Sequence, residues 1–95
     1  MPYYVYIMTN KQNGTLYVGM TENLVKRVWE HKTEAAEGFT KKYQCKTLVY
    51  FETTDEYEGA LRREKRLKKW HRKWKLDAIN KDNPAWNDLY DSICQ

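Results

Sequence analysis

Leu16–His31, L-Y-V-G-M-T-E-N-L-V-K-R-V-W-E-H, changes its hydrophobic period partway along. In the first four residues Leu16 and Val18 alternate with Tyr17 and Gly19, the period of a strand. From Thr21, a favourable N-cap residue, the pattern becomes helical. Leu24, Val25, Val28, Trp29, Ala35 and Ala36 fall on one arc of that helix, which is predicted from about Glu22 to Glu37. Gly38 is placed to end it as a C′ residue. Arg27 and His31 are four apart and so share a helix face beside the Leu24 edge of the arc. A tyrosine, a glycine, an arginine and a histidine thus ride on one rigid strand–helix unit.

Working outward, Tyr3–Met8 is rich in aromatic and β-branched residues and reads as a strand. Asn10–Gly14 is a turn, with Asn13-Gly14 its strongest signal, so the first twenty residues form a hairpin. Phe39–Cys45 reads as a connection and Thr47–Glu52 as a third strand. A second helix starts near Thr53–Asp55, where Thr53 with Glu56 or Asp55 with Glu58 would form a capping box. Tyr57, Ala60, Leu61, Leu67 and the stem of Lys68 mark its inward stripe, and the helical pattern resumes over Lys73–Asn80 after a bend near Trp70–Arg72. Asn83 then caps a last helix, with Pro84 in its first turn and Trp86, Leu89, Tyr90 and Ile93 as its apolar stripe. The order of elements predicts a small α/β (α+β) fold around three strands, one domain over residues 1–95, closed by a helix at about 84–93.

The chain has 95 residues and a net charge of +4, but the basicity is local. Arg62–Lys75 holds nine Lys or Arg and one Glu, while the remainder is net acidic. Such a run points to a polyanion, although a solvated helix face is its commonest meaning. Trp70 and Trp74 within it suit either base stacking or core packing. The first residues lack a basic start and a long apolar run, and no stretch is long enough to span a bilayer, so a cytoplasmic protein with no membrane partner is expected. Cys45 and Cys94 lack metal-ligand spacing and read as reduced thiols.

Glu64 sits in the middle of the second helix's apolar stripe, three residues from both Leu61 and Leu67. A carboxylate there needs a positive partner. Arg27 would make a structural ion pair, and a divalent cation would make a catalytic site. Tyr6, Tyr17, Arg27, His31 and Glu64 form one plausible site for phosphodiester hydrolysis. A cation on Glu64 would act as Lewis acid, Arg27 would hold the phosphate, and His31 or a tyrosine would take a proton from water. Ordinary readings also fit: cross-strand packing for the tyrosines, a surface position for His31, an easier turn for Gly19.

These residues resemble the motifs of the GIY-YIG nuclease superfamily, and within it the small single-domain bacterial branch. Tyr4-Val5-Tyr6 stands at the first motif and Tyr17-Val18-Gly19 at the second. Asn23-Leu24-x-x-Arg27 is similar to the helix-borne arginine motif, with His31 one turn on. Arg63-Glu64-Lys65 with Lys68-Lys69-Trp70 resembles the metal-binding glutamate segment, and Asn83-Pro84-x-Trp86-x-Asp88-Leu89 the branch's ending. Tyr4 replaces the glycine of the family name. Met20 stands where the excision-repair branch often has lysine, so that lysine's role does not transfer.

The resemblance implies a three-stranded antiparallel sheet flanked by helices. It also implies an endonuclease that cuts DNA with low sequence specificity, in repair or processing. Tyr6 and Tyr17 would lie near the attacking water, Arg27 on the phosphate, and Glu64 on one Mg²⁺ or Mn²⁺. Tyr43 fits a further family position. Arg62, Arg63, Lys65, Lys68, Lys69 and Lys73 are the expected nucleic-acid contacts. The competing reading is a nucleic-acid-binding module without turnover, for which Glu64 has no use; a protein-interaction domain docking through its tryptophans is a third.

Overall fold

The computed structural model describes residues 2–35 and 38–95. β1 (Tyr3–Thr9) and β2 (Leu16–Thr21) form the expected antiparallel hairpin, and β3 (Thr47–Thr54) pairs antiparallel with the other side of β1. The sheet order is therefore β2-β1-β3, with the first strand in the middle. Alternation along the strands sends side chains to two faces. Val5, Ile7 and Val18 pack with Val49, Ala60, Leu67, Ile79 and Trp86 on one face. Tyr6 and Met8 pack with Leu24, Val28, Cys45 and Leu48 on the other. Helices follow the same division. α1 (Leu24–Lys32) and the single turn α5 (Tyr90–Ile93) cover the Tyr6 face, while α3 (Tyr57–Lys69) and α4 (Arg72–Asp82) cover the Val5 face. A short helix, α2 (Phe39–Lys42), lies between α1 and β3.

Several predicted boundaries move, each for a local reason. The N-cap of α1 is Asn23, whose side chain accepts from the Lys26 N–H, rather than Thr21. Thr21 instead accepts from the Asn23 N–H in the turn before the helix. The helix stops at Lys32, where the Thr33 N–H and hydroxyl both bond the Trp29 carbonyl and Glu34 turns to a φ of 61°. Ala35 is exposed beyond it, and the predicted contributions of Ala36 and Glu37 lie outside the described residues. Gly38 is not the C′ residue of α1; it precedes α2 with a φ of 96°. Val25 and Trp29, placed on the buried arc by spacing, are exposed.

The N-cap of α3 is Glu56 without a side-chain bond, so neither predicted capping box forms; Tyr57 at its start is exposed. The predicted bend is a true break, with Trp70 and His71 in extended geometry between α3 and α4. The helix expected over 84–93 shrinks to Tyr90–Ile93. Trp86, at a φ of 56°, is buried on the Val5 face, whereas Leu89, Tyr90 and Ile93 pack on the Tyr6 face. A helix cannot serve two faces of a sheet, so this segment crosses the β3 edge in an irregular path instead. Asn83 guides it: its Nδ2 donates to the Val49 and Asn87 carbonyls, and its Oδ1 accepts from the Asn87 N–H. The sheet register shifts between Ile7 and Met8, which makes Val49 the extra residue of a bulge and frees its carbonyl for Asn83.

Candidate active site

Tyr6 is in register with Gly19 on the neighbouring strand, so its ring lies over a position with no side chain. A Cβ at Gly19 would come within 2.5 Å of the Tyr6 Cζ and Oη and 2.9 Å of the Tyr17 ring. Glycine here makes room for the tyrosine pair, which is more than easing a turn. The Tyr6 hydroxyl is 2.9 Å from His31 Nε2, and His31 Nδ1 is 3.0 Å from the Thr40 hydroxyl. All three residues are buried. His31 is therefore not a surface residue; its ring nitrogens bond Tyr6 and Thr40, and the half-buried Tyr17 ring lies against it. Among the described residues no buried side-chain polar atom lacks a partner.

Burial and the neighbouring Arg27 charge hold His31 neutral, with its pKa lowered to about 4. Burial, then the neighbouring Tyr17, keeps the Tyr6 phenol protonated far above its ordinary range, against a smaller opposing influence from Arg27. Tyr17 continues outward from this pair. Its ring centroid is 6.3 Å from Tyr6, 5.5 Å from His31 and 5.9 Å from Phe39, and Phe39 contacts Tyr43 at 4.6 Å. Phe39 and Tyr43 are exposed, so a path of rings leads from buried hydroxyl to surface. Along the β2 edge a groove of about 240 Å³ is lined by Leu16, Tyr17, Val18, Phe39, Lys68 and Lys75.

The sequence left the partner of Glu64 open. Arg27 pairs with Glu30 at 3.2 Å and Glu64 with Lys68 at 3.4 Å, so no Arg27–Glu64 ion pair forms. The Glu64 side chain is 16% exposed and its charge acts on Tyr6. No group of three metal-ligating side chains occurs among the described residues. A half-buried carboxylate whose one ion pair is a 3.4 Å contact with an exposed lysine suits an ion that takes its remaining ligands from phosphate oxygens and water, as Mg²⁺ commonly does.

The basic run is not uniform. Arg63 is committed to Glu52 by two hydrogen bonds, at 2.6 and 3.2 Å, and lies over the Trp70 ring. Arg72 clamps the hairpin turn through the Asn13 and Gly14 carbonyls. Arg62, Lys65, Lys68, Lys69 and Lys73 are available to solvent. Trp70 is partly buried against the core and Trp74 is 52% exposed, so the two tryptophans divide the alternatives between them. Thr40 and Phe39 carry no signal in the sequence. They lie in a short, aperiodic connection where nothing marks them.

The profile of the GIY-YIG catalytic domain matches residues 2–77. This chain belongs to the GIY-YIG family. A UPF0213 protein of Syntrophus aciditrophicus is 40% identical over 82 residues, 85% of this chain and 92% of that protein. One from Staphylococcus saprophyticus is 35% identical, over 82% of this chain and 94% of its own. The solution NMR structure of a UPF0213 protein from Bacillus halodurans aligns with a TM-score of 0.57 at 24% identity, covering 94% of each chain, a likeness of fold. The sheet and flanking helices expected from the GIY-YIG resemblance are thus present. GIY-YIG proteins are in general endonucleases that use divalent metals on DNA. In this GIY-YIG chain His31 bonds the Tyr6 hydroxyl, Tyr17 lies beside the Tyr6 ring, and the charges of Arg27 and Glu64 act on Tyr6. Both cysteines are free, Cys45 buried and Cys94 exposed. No described helix is long and apolar enough to cross a membrane.

Proposed function

We propose that this protein is a divalent-metal-dependent endonuclease that hydrolyses phosphodiester bonds in DNA with low sequence specificity, in cytoplasmic repair or processing. The buried Tyr6–His31–Thr40 chain carries this reading. A buried phenol, hydrogen-bonded to a neutral imidazole and influenced by an arginine and a glutamate, is arranged as a proton relay. If the Thr40 hydroxyl accepts from His31 Nδ1–H, Nε2 is bare and accepts the Tyr6 proton. The Tyr6 oxygen then takes a proton from the attacking water while passing its own to His31. The water oxygen bonds to phosphorus as the bond to the leaving oxygen breaks, and the leaving oxygen takes a proton from solvent. Arg27 binds the scissile phosphate. A phosphate on Arg27 offsets the charge that depresses the His31 pKa, so substrate binding itself makes His31 a better acceptor. Glu64 would hold the Mg²⁺ or Mn²⁺ ion, which supplies Lewis-acid stabilisation of charge on the phosphate and leaving oxygen.

The test is cleavage of labelled duplex, branched and single-stranded DNA with and without Mn²⁺, by the parent and by Glu64→Gln. The expected result is metal-dependent cutting that falls by orders of magnitude in the variant, with DNA affinity held or tightened and melting temperature nearly unchanged. Binding without cutting by the parent on every substrate returns the chain to the non-catalytic module. Equal cutting by the two proteins removes Glu64 from the site.

A further inference from the structure

The cations of α3 divide between two sides of the helix. At about 100° per residue, Arg62, Lys65, Arg66 and Lys69 gather on one side, Glu64 lies roughly opposite, and Lys68 lies on the flank between, about 60° from Lys65. Lys68 lines the β2 groove with Tyr17 and Phe39. The other four, with the Trp70 ring, line a separate depression of about 410 Å³ that contains no carboxylate. None of these four has an acidic partner among the described residues. Other exposed cations, Lys11, Lys26, Lys41, Lys42, Lys73 and Lys81, also lack an acidic partner there, but these four sit together along one depression. Like charges three and four apart destabilise a helix. Attraction to the helix C-terminus explains Lys69 but not Arg62 or Lys65, which lie before the last turn.

We infer that this far side of α3 is a second nucleic-acid tract, separate from the cutting groove, which grips the phosphate backbone of the same substrate at a distance from the scissile bond. The inference rests on the groove handling nucleic acid, as proposed above. A helix is about 10–12 Å across, so a phosphate held at Glu64 cannot also touch Arg62 or Lys69. The substrate must continue around or across α3 to reach both. Trp70 gives the depression one flat wall, held by the Arg63 guanidinium 4.8 Å from its ring. Four unpaired cations beside a fixed ring match a polyphosphate better than an apolar protein surface.

The test compares the parent with an Arg62→Gln, Lys65→Gln, Arg66→Gln, Lys69→Gln variant. The ligands are a duplex hairpin of about five base pairs, roughly 17 Å of helix axis, and a duplex of about thirty. For the long duplex, affinity should fall tenfold or more, and the log–log salt slope should flatten by about 0.9 for each phosphate that the variant no longer neutralises. The short duplex should bind both proteins with the same slope. In the parent, Lys65 and Lys69 should be protected from acetylation by the long duplex only, a readout independent of how the variant folds. An unchanged slope on the long duplex, or protection by neither, makes this side an ordinary solvated surface. Equal losses on both lengths merge it with the groove, and protection by an acidic protein but not by DNA assigns it another partner. These are binding measurements. If the protein never cuts DNA, the second tract stands while the nuclease proposal falls.

Discussion

A methyl group on Gly19 would lie 2.5 Å from the Tyr6 phenol, and Tyr6 is too deeply buried to retreat. Gly19→Ala should therefore cost about 1–3 kcal/mol of stability, the usual range for overpacking, and should break the hydroxyl contact with His31. Cleavage falling further than stability would be the signature; an unaltered melt and unaltered cutting would dismiss it. His31 carries a second prediction. Its folded pKa of about 4 lies below the unfolded value near 6.5, so between these the unfolded state binds the extra proton. Stability should hold above pH 6.5 and fall by about 3 kcal/mol on descending to pH 4. Denaturant melts across that window check this, and a His31 ring that titrates near 6.5 by NMR would contradict it. Helix period places Arg27 beside His31 and Glu64 on the inward stripe of its helix, whereas no period singles out Tyr6 and Gly19, which the resemblance to the family motifs marks. The burial of His31 was not visible in the sequence, since it depends on Thr40, which a tight turn after Lys32 brings back from nine residues on.

Elements were legible in proportion to their regularity. The three strands and the helices α1, α3 and α4 follow from periodicity. The ends of those helices do not, because Asn23, Thr33 and Glu56 are selected by where the chain must go next. The ending failed as a pattern for a clear reason. The i, i+3, i+4, i+7 spacing of Trp86, Leu89, Tyr90 and Ile93 imitates one helix stripe, yet its members belong to opposite faces of the sheet. Asn83 holds that crossing, so Asn83→Ala should leave the bulge carbonyl of Val49 without its partner. The expected cost is about 2 kcal/mol, or roughly 10 °C in melting temperature for a domain of this size. A shift under a few degrees would show that the crossing is held mainly by Trp86.

At the scale of the whole molecule, charge governs the encounter with substrate. Principal extents of 30 × 29 × 27 Å bring the basic α3–α4 layer within reach of any DNA that meets the β2 edge. Four phosphate contacts would give a log–log salt slope of about −3.6 and weaken binding roughly a hundredfold between about 50 and 200 mM salt. Titration by fluorescence anisotropy measures this, and salt-indifferent binding would contradict it. That basic excess was plain in the sequence; its division by helix geometry, and the commitment of Arg63 and Arg72 to internal partners, were not. The crossing of residues 83–89 also matters beyond one chain. Leu48, on the free side of β3, has both backbone groups occupied: its N–H by the Asp88 carboxylate at 3.2 Å, its carbonyl by the Leu89 N–H at 2.8 Å. An uncovered edge strand is a template for a strand from another copy. A chain clipped before Asp88 would offer that template, and its failure would show as growing aggregates rather than as a softer monomer.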